Sequence, residues 1–463
     1  MCYIMVYYIY AIVYIKYIFG KDVWGDNMYL AQLNIWNFRK YGTADLENEP
    51  ALSVDFKNGL NLIVGENDGG KTTIIDAIKC VLGTQDYEAI RLDENDFCKY
   101  SKKKELKIEC IFKDMNDEEA GKFIEWVTFD KNNNCELKVR LVAKLRDDNK
   151  IVQTISAGED GLDTYFEARD LLRVTYLKPL RDAKNELTPG YRSRFSQILK
   201  NYPIFFKNKE QAHTLEKYLE VANEKIENYF KKEELEKDEV FKINDGEKGA
   251  KDITEFLNRT LKEFMGTDYD NNNYEAKVNI SGGNLNSILS KLGLTIDENK
   301  VGLGSLNELY IAMELLLLQI KDNLKVALVE EIEAHLHPQA QLRLINYLQN
   351  SEIRCQYILT THSITLASSV KLESLIICKN NDAFPMGQNY TNMRLNDYEF
   401  LERFLDATKA NLFFAKGVIL VEGDAENLLL PVLAKIVDKP LYKYGISIVN
   451  IGNTAFLRYS NIL

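Results

Sequence analysis

The segment Gly65-Glu-Asn-Asp-Gly-Gly-Lys-Thr72 fits G-x-x-x-x-G-K-[ST], and its surroundings fit as well. The apolar run Leu60-Asn-Leu-Ile-Val64 precedes it, and a stretch with helical spacing, residues 73–82, follows and is closed by Gly83. Strand, glycine-rich loop and helix is the order in which this pattern cradles phosphate. Gly65, Gly69 and Gly70 let backbone N–H groups turn inward around phosphate oxygens, and the helix N-terminus adds its dipole. Lys71 places a point charge on the terminal phosphates, and Thr72 offers a hydroxyl to Mg²⁺. Asn67 and Thr73 complete the expected nucleotide-binding set. An α/β domain binding a nucleoside triphosphate is therefore expected.

A chain of 463 residues is too long for one ordinary core, so two or three domains are expected. The net charge of -11 argues against nonspecific coating of nucleic acid but leaves room for a local basic groove. The 7 cysteines are scattered and form no C-x-x-C, which reads as reduced thiols in a cytoplasmic protein. Residues 1–19 are nearly all Tyr, Ile, Val and Met, broken by Lys16. A membrane helix or signal anchor is one reading. No basic region precedes it and no small-residue cleavage site follows, so a start at Met28 is favoured, and no membrane partner is expected.

Five segments are expected: an extension at 1–27, a P-loop lobe at 28–185, a helical insert at 186–275, a second ATPase lobe at 276–405 and a further α/β domain at 412–463. Residues 105–112 and 135–142 alternate as half-buried antiparallel strands do. Residues 190–275 are helical in pattern and charge-rich, either a dimerisation element or a solvated structural insert. Residues 324–329, 355–359 and 417–421 are continuous apolar runs, expected as buried strands.

The run Val326-Ala-Leu-Val-Glu330-Glu331 fits a Walker B strand. Glu330 is assigned to the metal beside Thr72, and Glu331 to the base that orients and deprotonates water. His335 and His337 follow in Glu333-Ala-His-Leu-His-Pro338, a segment resembling the D-loop of ABC-type ATPases. His362, in Leu359-Thr-Thr-His-Ser363, follows an apolar run and resembles a switch histidine that contacts the γ-phosphate. Gly304 and Ser305 precede a long apolar stretch, an anion-binding helix start. Their segment is preferred over Ser281-Gly-Gly283 as the signature that one ABC-type subunit donates to its partner's nucleotide.

Together these motifs resemble SMC-like ABC-type ATPases. Glu330-Glu-Ile-Glu-Ala-His-Leu-His-Pro-Gln339 with Thr360-Thr-His-Ser363 is similar to the OLD family of ATP-dependent endonucleases, relatives of the nuclease in Gabija anti-phage systems. Residues 177–182 and 192–194 carry the same likeness. The resemblance implies an ABC-type ATPase with an inserted helical dimerisation segment and a Toprim domain. It implies ATP with Mg²⁺, a DNA substrate, a homodimer, and a helicase-like or other defence-system partner. Residues 417–426 resemble the start of a Toprim fold, with Glu422 at a strand end and Glu426 one helical turn on, as catalytic carboxylates for Mg²⁺ or Mn²⁺. The later D-x-D pair of such folds is missing: Asp438 is the one aspartate after Glu426. The Toprim part is thus expected to be partial and its nuclease site incomplete. The alternatives are an SMC-like DNA-binding ATPase without nuclease activity and a regulatory fragment that dimerises without cutting.

Overall fold

The computed structural model describes residues 28–177, 189–190, 193–205, 212–231, 258, 283–293, 310–311, 324–350, 355–452 and 456–462, with breaks at 48, 67, 86–89, 102–103, 133, 159–161, 164–165, 202 and 335. Asn67, His335, Gly304, Ser305 and residues 1–27 therefore lie outside the described residues, as do residues 178–182 and most of the expected insert. The chain divides into two compact units, residues 182–320 and the remainder.

In chain order the described strands are β1 (Tyr29–Trp36), β2 (Leu52–Asp55), β3 (Leu60–Gly65), β4 (Glu105–Lys113), β5 (Val127–Phe129), β6 (Cys135–Leu145), β7 (Ile151–Ala157), β8 (Leu162–Asp163), β9 (Thr175–Leu177), β10 (Val326–Val329), β11 (Gln356–Thr360), β12 (Leu375–Lys379), β13 (Asp382–Pro385), β14 (Gly417–Val421) and β15 (Ile446–Asn450). All belong to the larger unit.

One sheet is antiparallel, ordered β2-β1-β4-β6-β7-β8 with β5 on β6. The alternating stretches of the sequence form its centre: β4 pairs with β6 so that Glu109 faces Arg140, and the two side chains form an ion pair. The second sheet is ordered β13-β12-β3-β11-β10-β9, with the antiparallel β13 at its edge and the other five strands parallel. β3, β10 and β11 are buried along their whole length, which explains why each reads as an unbroken apolar run.

The P-loop helix, Lys71–Leu82, shares one core with both sheets. Ile74, Ile75, Ile78 and Val81 pack in a cluster with Ile108, Leu137 and Leu141 of the antiparallel sheet and with Ile63, Leu328 and Ile358 of the parallel one. Each such apolar side chain contributes roughly 1.5–3 kcal/mol when fully buried. The helix is thus clamped on two sides, and the loop before it inherits that rigidity. The registers Leu359↔Leu62 and Val329↔Leu359 bring the carboxyl ends of β3, β11 and β10 to one edge, where α/β sheets bind ligands.

β14 and β15 form a separate parallel pair. The expectation of a buried strand at 417–421 is corrected here: Val421 alone is buried. Among the described residues β14 pairs with a single strand, and the following helix, Asp424–Ile436, buries none of its residues. A central strand is buried by neighbours on both sides and by layers on both faces, whereas among the described residues β14 has a neighbour on one side only. The pair is anchored to the rest of its unit by a few contacts. Asn411 Nδ2 donates to Ser447 Oγ of β15 at 3.0 Å, and the helix Phe456–Ser460 that follows β15 is held by Tyr459 OH, which donates to the Phe404 carbonyl at 3.2 Å, and by Arg458, which pairs with Asp397 at 3.0 Å.

In the smaller unit the helices Arg194–Asn201, Thr214–Lys231 and Leu285–Lys291 are described, and the Leu285 N–H donates to Glu216 Oε1 at 2.7 Å. Among the described residues no helix is long and apolar enough to cross a membrane.

Candidate functional site

The site is built from the end of β3. Gly65 has φ 150°, and a Cβ there would lie 2.3 Å from the Cys378 carbonyl oxygen on the adjacent β12. Gly70, at φ 106°, has the same need, since a Cβ would meet the Tyr41 hydroxyl oxygen at 2.0 Å. The glycines are therefore required by close approach as well as by the turn.

Lys71 begins the helix and is buried. Its ammonium donates to the carbonyls of Gly65 at 2.8 Å and Glu66 at 2.7 Å. Burial lowers its pKa; the carboxylates of Glu333 and Glu331 oppose that shift and Lys40 adds to it. Lys40 lies over the same loop, donating to the Asp68 carbonyl at 2.7 Å. Thr72 is exposed, whereas Thr73 turns inward and is buried.

Glu330 follows β10 and is buried. Tyr176 OH, from β9, donates to its Oε1 at 2.7 Å, and Thr72 also favours the charged form of the carboxylate. Burial raises the Glu330 pKa, Tyr176 and Thr72 work against it, and Asp76 raises it further. Asp76 is in turn held by Lys79 at 2.8 Å and Arg39 at 2.8 Å, and Lys79 lies 3.8 Å above the Tyr176 ring. The structure thus brings together the Thr72 and Glu330 that were assigned to one metal. A hydroxyl and a carboxylate are hard oxygen donors that suit Mg²⁺.

Glu331 has φ 46°, an uncommon conformation for a residue with a side chain. Its N–H donates to Thr360 Oγ1 at 3.1 Å, so the end of β11 fixes the turn after β10. Such outliers gather where a function over-determines the backbone. Glu333 accepts from Thr361 Oγ1 at 2.7 Å and from the backbone N–H of His362. The His362 imidazole is kept below its usual pKa by desolvation and by Lys71, while Glu333 and Glu331 pull it upward. Lys71, Glu331, Glu333 and His362 therefore share one electrostatic neighbourhood at the ends of three adjacent strands. Ser363 caps the short helix Ile364–Ala367 and donates to Gln341 Oε1 at 2.9 Å.

Sequence reasoning quoted Glu333 without giving it a role, and missed Tyr176 and Lys40. Glu333 left one signal: an acid two residues past Glu331 in a turn, with no helical repeat to place it on a solvated face. Tyr176 and Lys40 left none, because only the tertiary fold carries them to the site.

The Toprim-like carboxylates differ in setting. Glu422, Asp424 and Glu426 are all exposed. Glu426 folds back along the helix start, its Oε2 only 3.3 Å from where a Cβ on Gly423 would stand. Asp424 accepts from Asn450 Nδ2 at 2.8 Å, which ties the ends of β14 and β15 together. A cavity of about 590 Å³ opens beside Asp424 and Asn450, walled by Phe400, Phe404, Ile451 and Tyr459. Among the described residues no three His, Cys, Asp or Glu side chains are grouped to hold a metal ion.

The chain matches the AAA ATPase domain family along residues 28–367 and the overcoming lysogenization defect protein-like TOPRIM domain along residues 413–463. Endonuclease GajA of Bacillus cereus (strain HuB5-5) is 24% identical over 94% of this chain and 75% of its own length. OLD nuclease of Thermus scotoductus is 24% identical over 86% of this chain and 72% of its own. Among solved structures, an Smc head domain from Pyrococcus furiosus is similar with 17% identity and a TM-score of 0.43, covering 77% of this chain and 95% of that one. With the ATPase domain matched over most of its length and the TOPRIM match following, the chain belongs to the AAA ATPase domain family and is an ATP-binding, ATP-hydrolysing protein of the OLD type.

Proposed function

We propose that the chain hydrolyses ATP at the joined ends of β3, β10 and β11, and that this turnover serves DNA cleavage by an OLD-type enzyme. The observation that carries the first part is Glu330, buried next to the P-loop and hydrogen-bonded by Tyr176, with Thr72 favouring its charged form. Thr72 and Glu330 would hold Mg²⁺, which would neutralise charge on the phosphates. Lys71 leaves its carbonyl partners for the β- and γ-phosphates. Glu331 orients the attacking water and takes its proton, and His362 donates to the γ-phosphate.

The DNA part is supported by the two nuclease relatives and by the TOPRIM match, with Glu422 and Glu426 as the carboxylates that recruit Mg²⁺ or Mn²⁺. A homodimer follows from the signature reading of Gly304 and Ser305, and a cytoplasmic setting from the unpaired cysteines. Six of those cysteines are described, and none forms a disulfide. The second reading is an SMC-like DNA-binding ATPase without cleavage; the solvent exposure of Glu422 and Glu426 is the observation that favours it.

Phosphate release by the purified chain tests the ATPase geometry. Mg²⁺-dependent turnover should fall sharply in Thr72→Val and in Glu330→Gln. Unchanged turnover in both variants would place the metal elsewhere.

A further inference from the structure

We propose that Glu333 is a positioning residue for ATP turnover, a clamp that fixes His362 against the phosphate site by joining the turn after β10 to the end of β11. It rests on the reading of His362 as the phosphate-facing switch. β10 and β11 are paired along their length, and the Glu331 N–H reaches Thr360 Oγ1 at 3.1 Å, but these bonds stop one residue short of Thr361 and His362. Here one carboxylate takes a hydrogen bond from Thr361 Oγ1 at 2.7 Å and another from the His362 backbone N–H. Thr361 is fully buried, and its Oγ1 also accepts from the Ser363 N–H at 2.9 Å. Ser363 in turn caps the helix Ile364–Ala367 and reaches Gln341. The residues on either side of His362 are therefore pinned, and Glu333 ties them to the segment that carries Glu330 and Glu331.

The geometry separates Glu333 from the base itself. Both of its oxygens are occupied by donors of the switch segment. Glu331, by contrast, is tied to β11 through its backbone N–H, which donates to Thr360 Oγ1. Glu333 consequently acts through His362 and its test must read that dependence.

Steady-state ATP turnover and nucleotide affinity of four variants, Glu333→Ala, Glu333→Gln, His362→Ala and the Glu333→Ala/His362→Ala double variant, decide the matter. Glu333→Ala should lower kcat on the order of 10–10²-fold, the cost of a misplaced catalytic group, with ATP affinity near the parent value. Glu333→Gln should recover most of the loss, because its amide can accept from His362 N–H and donate to Thr361 Oγ1. The double variant should be no slower than His362→Ala, since contacts that act in series are not additive. Glu333→Asp, one methylene shorter, carries the same test if the alanine variant melts early: kcat should drop at an unchanged melting temperature. Losses in the double variant that multiply would overturn the clamp and leave the histidine role standing. Full turnover in His362→Ala would overturn the switch reading, and the clamp with it.

Discussion

At the end of the parallel sheet the acids have partners, whereas at the end of the β14–β15 pair they stand in solvent. Glu330 is bonded by Tyr176, and Glu333 by Thr361 and His362. Glu422 and Glu426 are exposed, and Asp424 alone is tied to a neighbouring strand, through Asn450. The first region is built in layers: the P-loop helix lies between two sheets, and its loop is bonded by Lys40 and closely approached by Tyr41 and the β12 carbonyl at Cys378. The second has one helix over two strands, and Leu428 on that helix is 73% exposed. Oxygen ligands at one strand end become a preorganised site only when neighbours fix their rotamers. The comparison therefore predicts chemistry with a large dependence on single residues in the first region and a small one in the second.

The largest effect is expected from Lys71→Ala. It removes the buried ammonium that bonds the Gly65 and Glu66 carbonyls and that we propose meets the terminal phosphates. Titration with a fluorescent ATP analogue should show binding lost or weakened by at least an order of magnitude, as for a buried charge–phosphate contact. Tight binding by this variant would mean that Lys40 carries the phosphates.

Glu331→Gln comes next. The amide keeps the shape of the side chain and the φ of 46°, so ATP still binds, but it cannot take a proton. Single-turnover hydrolysis should slow on the order of 10²–10⁴-fold, the cost of a lost general base. Normal turnover would move the base to Glu333 and break the distinction drawn between those two acids.

These two predictions concern residues that were legible in the sequence, and the reason is local. A P-loop, a Walker B strand and a strand-end histidine are each encoded within about ten consecutive residues, where glycine tolerance, β-propensity and apolar runs do the specifying. Tyr176 reaches Glu330 across 154 positions, and Glu333 reaches Thr361 across 28. No periodicity encodes such meetings; the strand order β9-β10-β11 creates them. The half-exposed β14 was misjudged for the same reason. Gly-Val-Ile-Leu-Val is a sound buried-strand pattern, but burial is decided by what packs on it.

The third prediction sharpens the contrast at the Toprim carboxylates. Glu422→Ala should leave ATP turnover essentially unchanged, because the residue is exposed and makes no recorded contact with the nucleotide site. Because Glu422 and Glu426 are exposed, nicking of supercoiled DNA by this chain should be slow and need about millimolar Mg²⁺ or Mn²⁺, the range of weakly charged oxygen sites. Rapid nicking at micromolar metal that disappears in Glu422→Ala would show that another acid, Asp424 first among them, completes the site.

The smallest effect lies between the two regions, at Asp406. Partial burial pushes its carboxyl upward, but hydrogen bonds from Lys409 and Thr408 outweigh this and bring its pKa down to about 2. Lys409 Nζ approaches to 2.6 Å, and the backbone N–H groups of Thr408 and Lys409 donate as well. The side chain is 54% exposed, so the ion pair is screened, and the whole cap is worth no more than about 1 kcal/mol. A carboxyl with a depressed folded-state pKa binds its proton more readily when unfolded. Its contribution is therefore complete above the unfolded value near 4 and fades as pH falls toward the folded one. Urea melts of Asp406→Asn and the parent chain should differ by a small constant amount from pH 5 to 8 and converge as the pH approaches 2. Because Asp406 precedes the short helix Ala410–Phe413, whose Asn411 touches Ser447 of β15, the early phase of that melt should be the β14–β15 pair, with the nucleotide site unfolding later. Simultaneous loss of both would show that the pair is no weaker than the layered region, and the contrast between them would then rest on side-chain exposure alone.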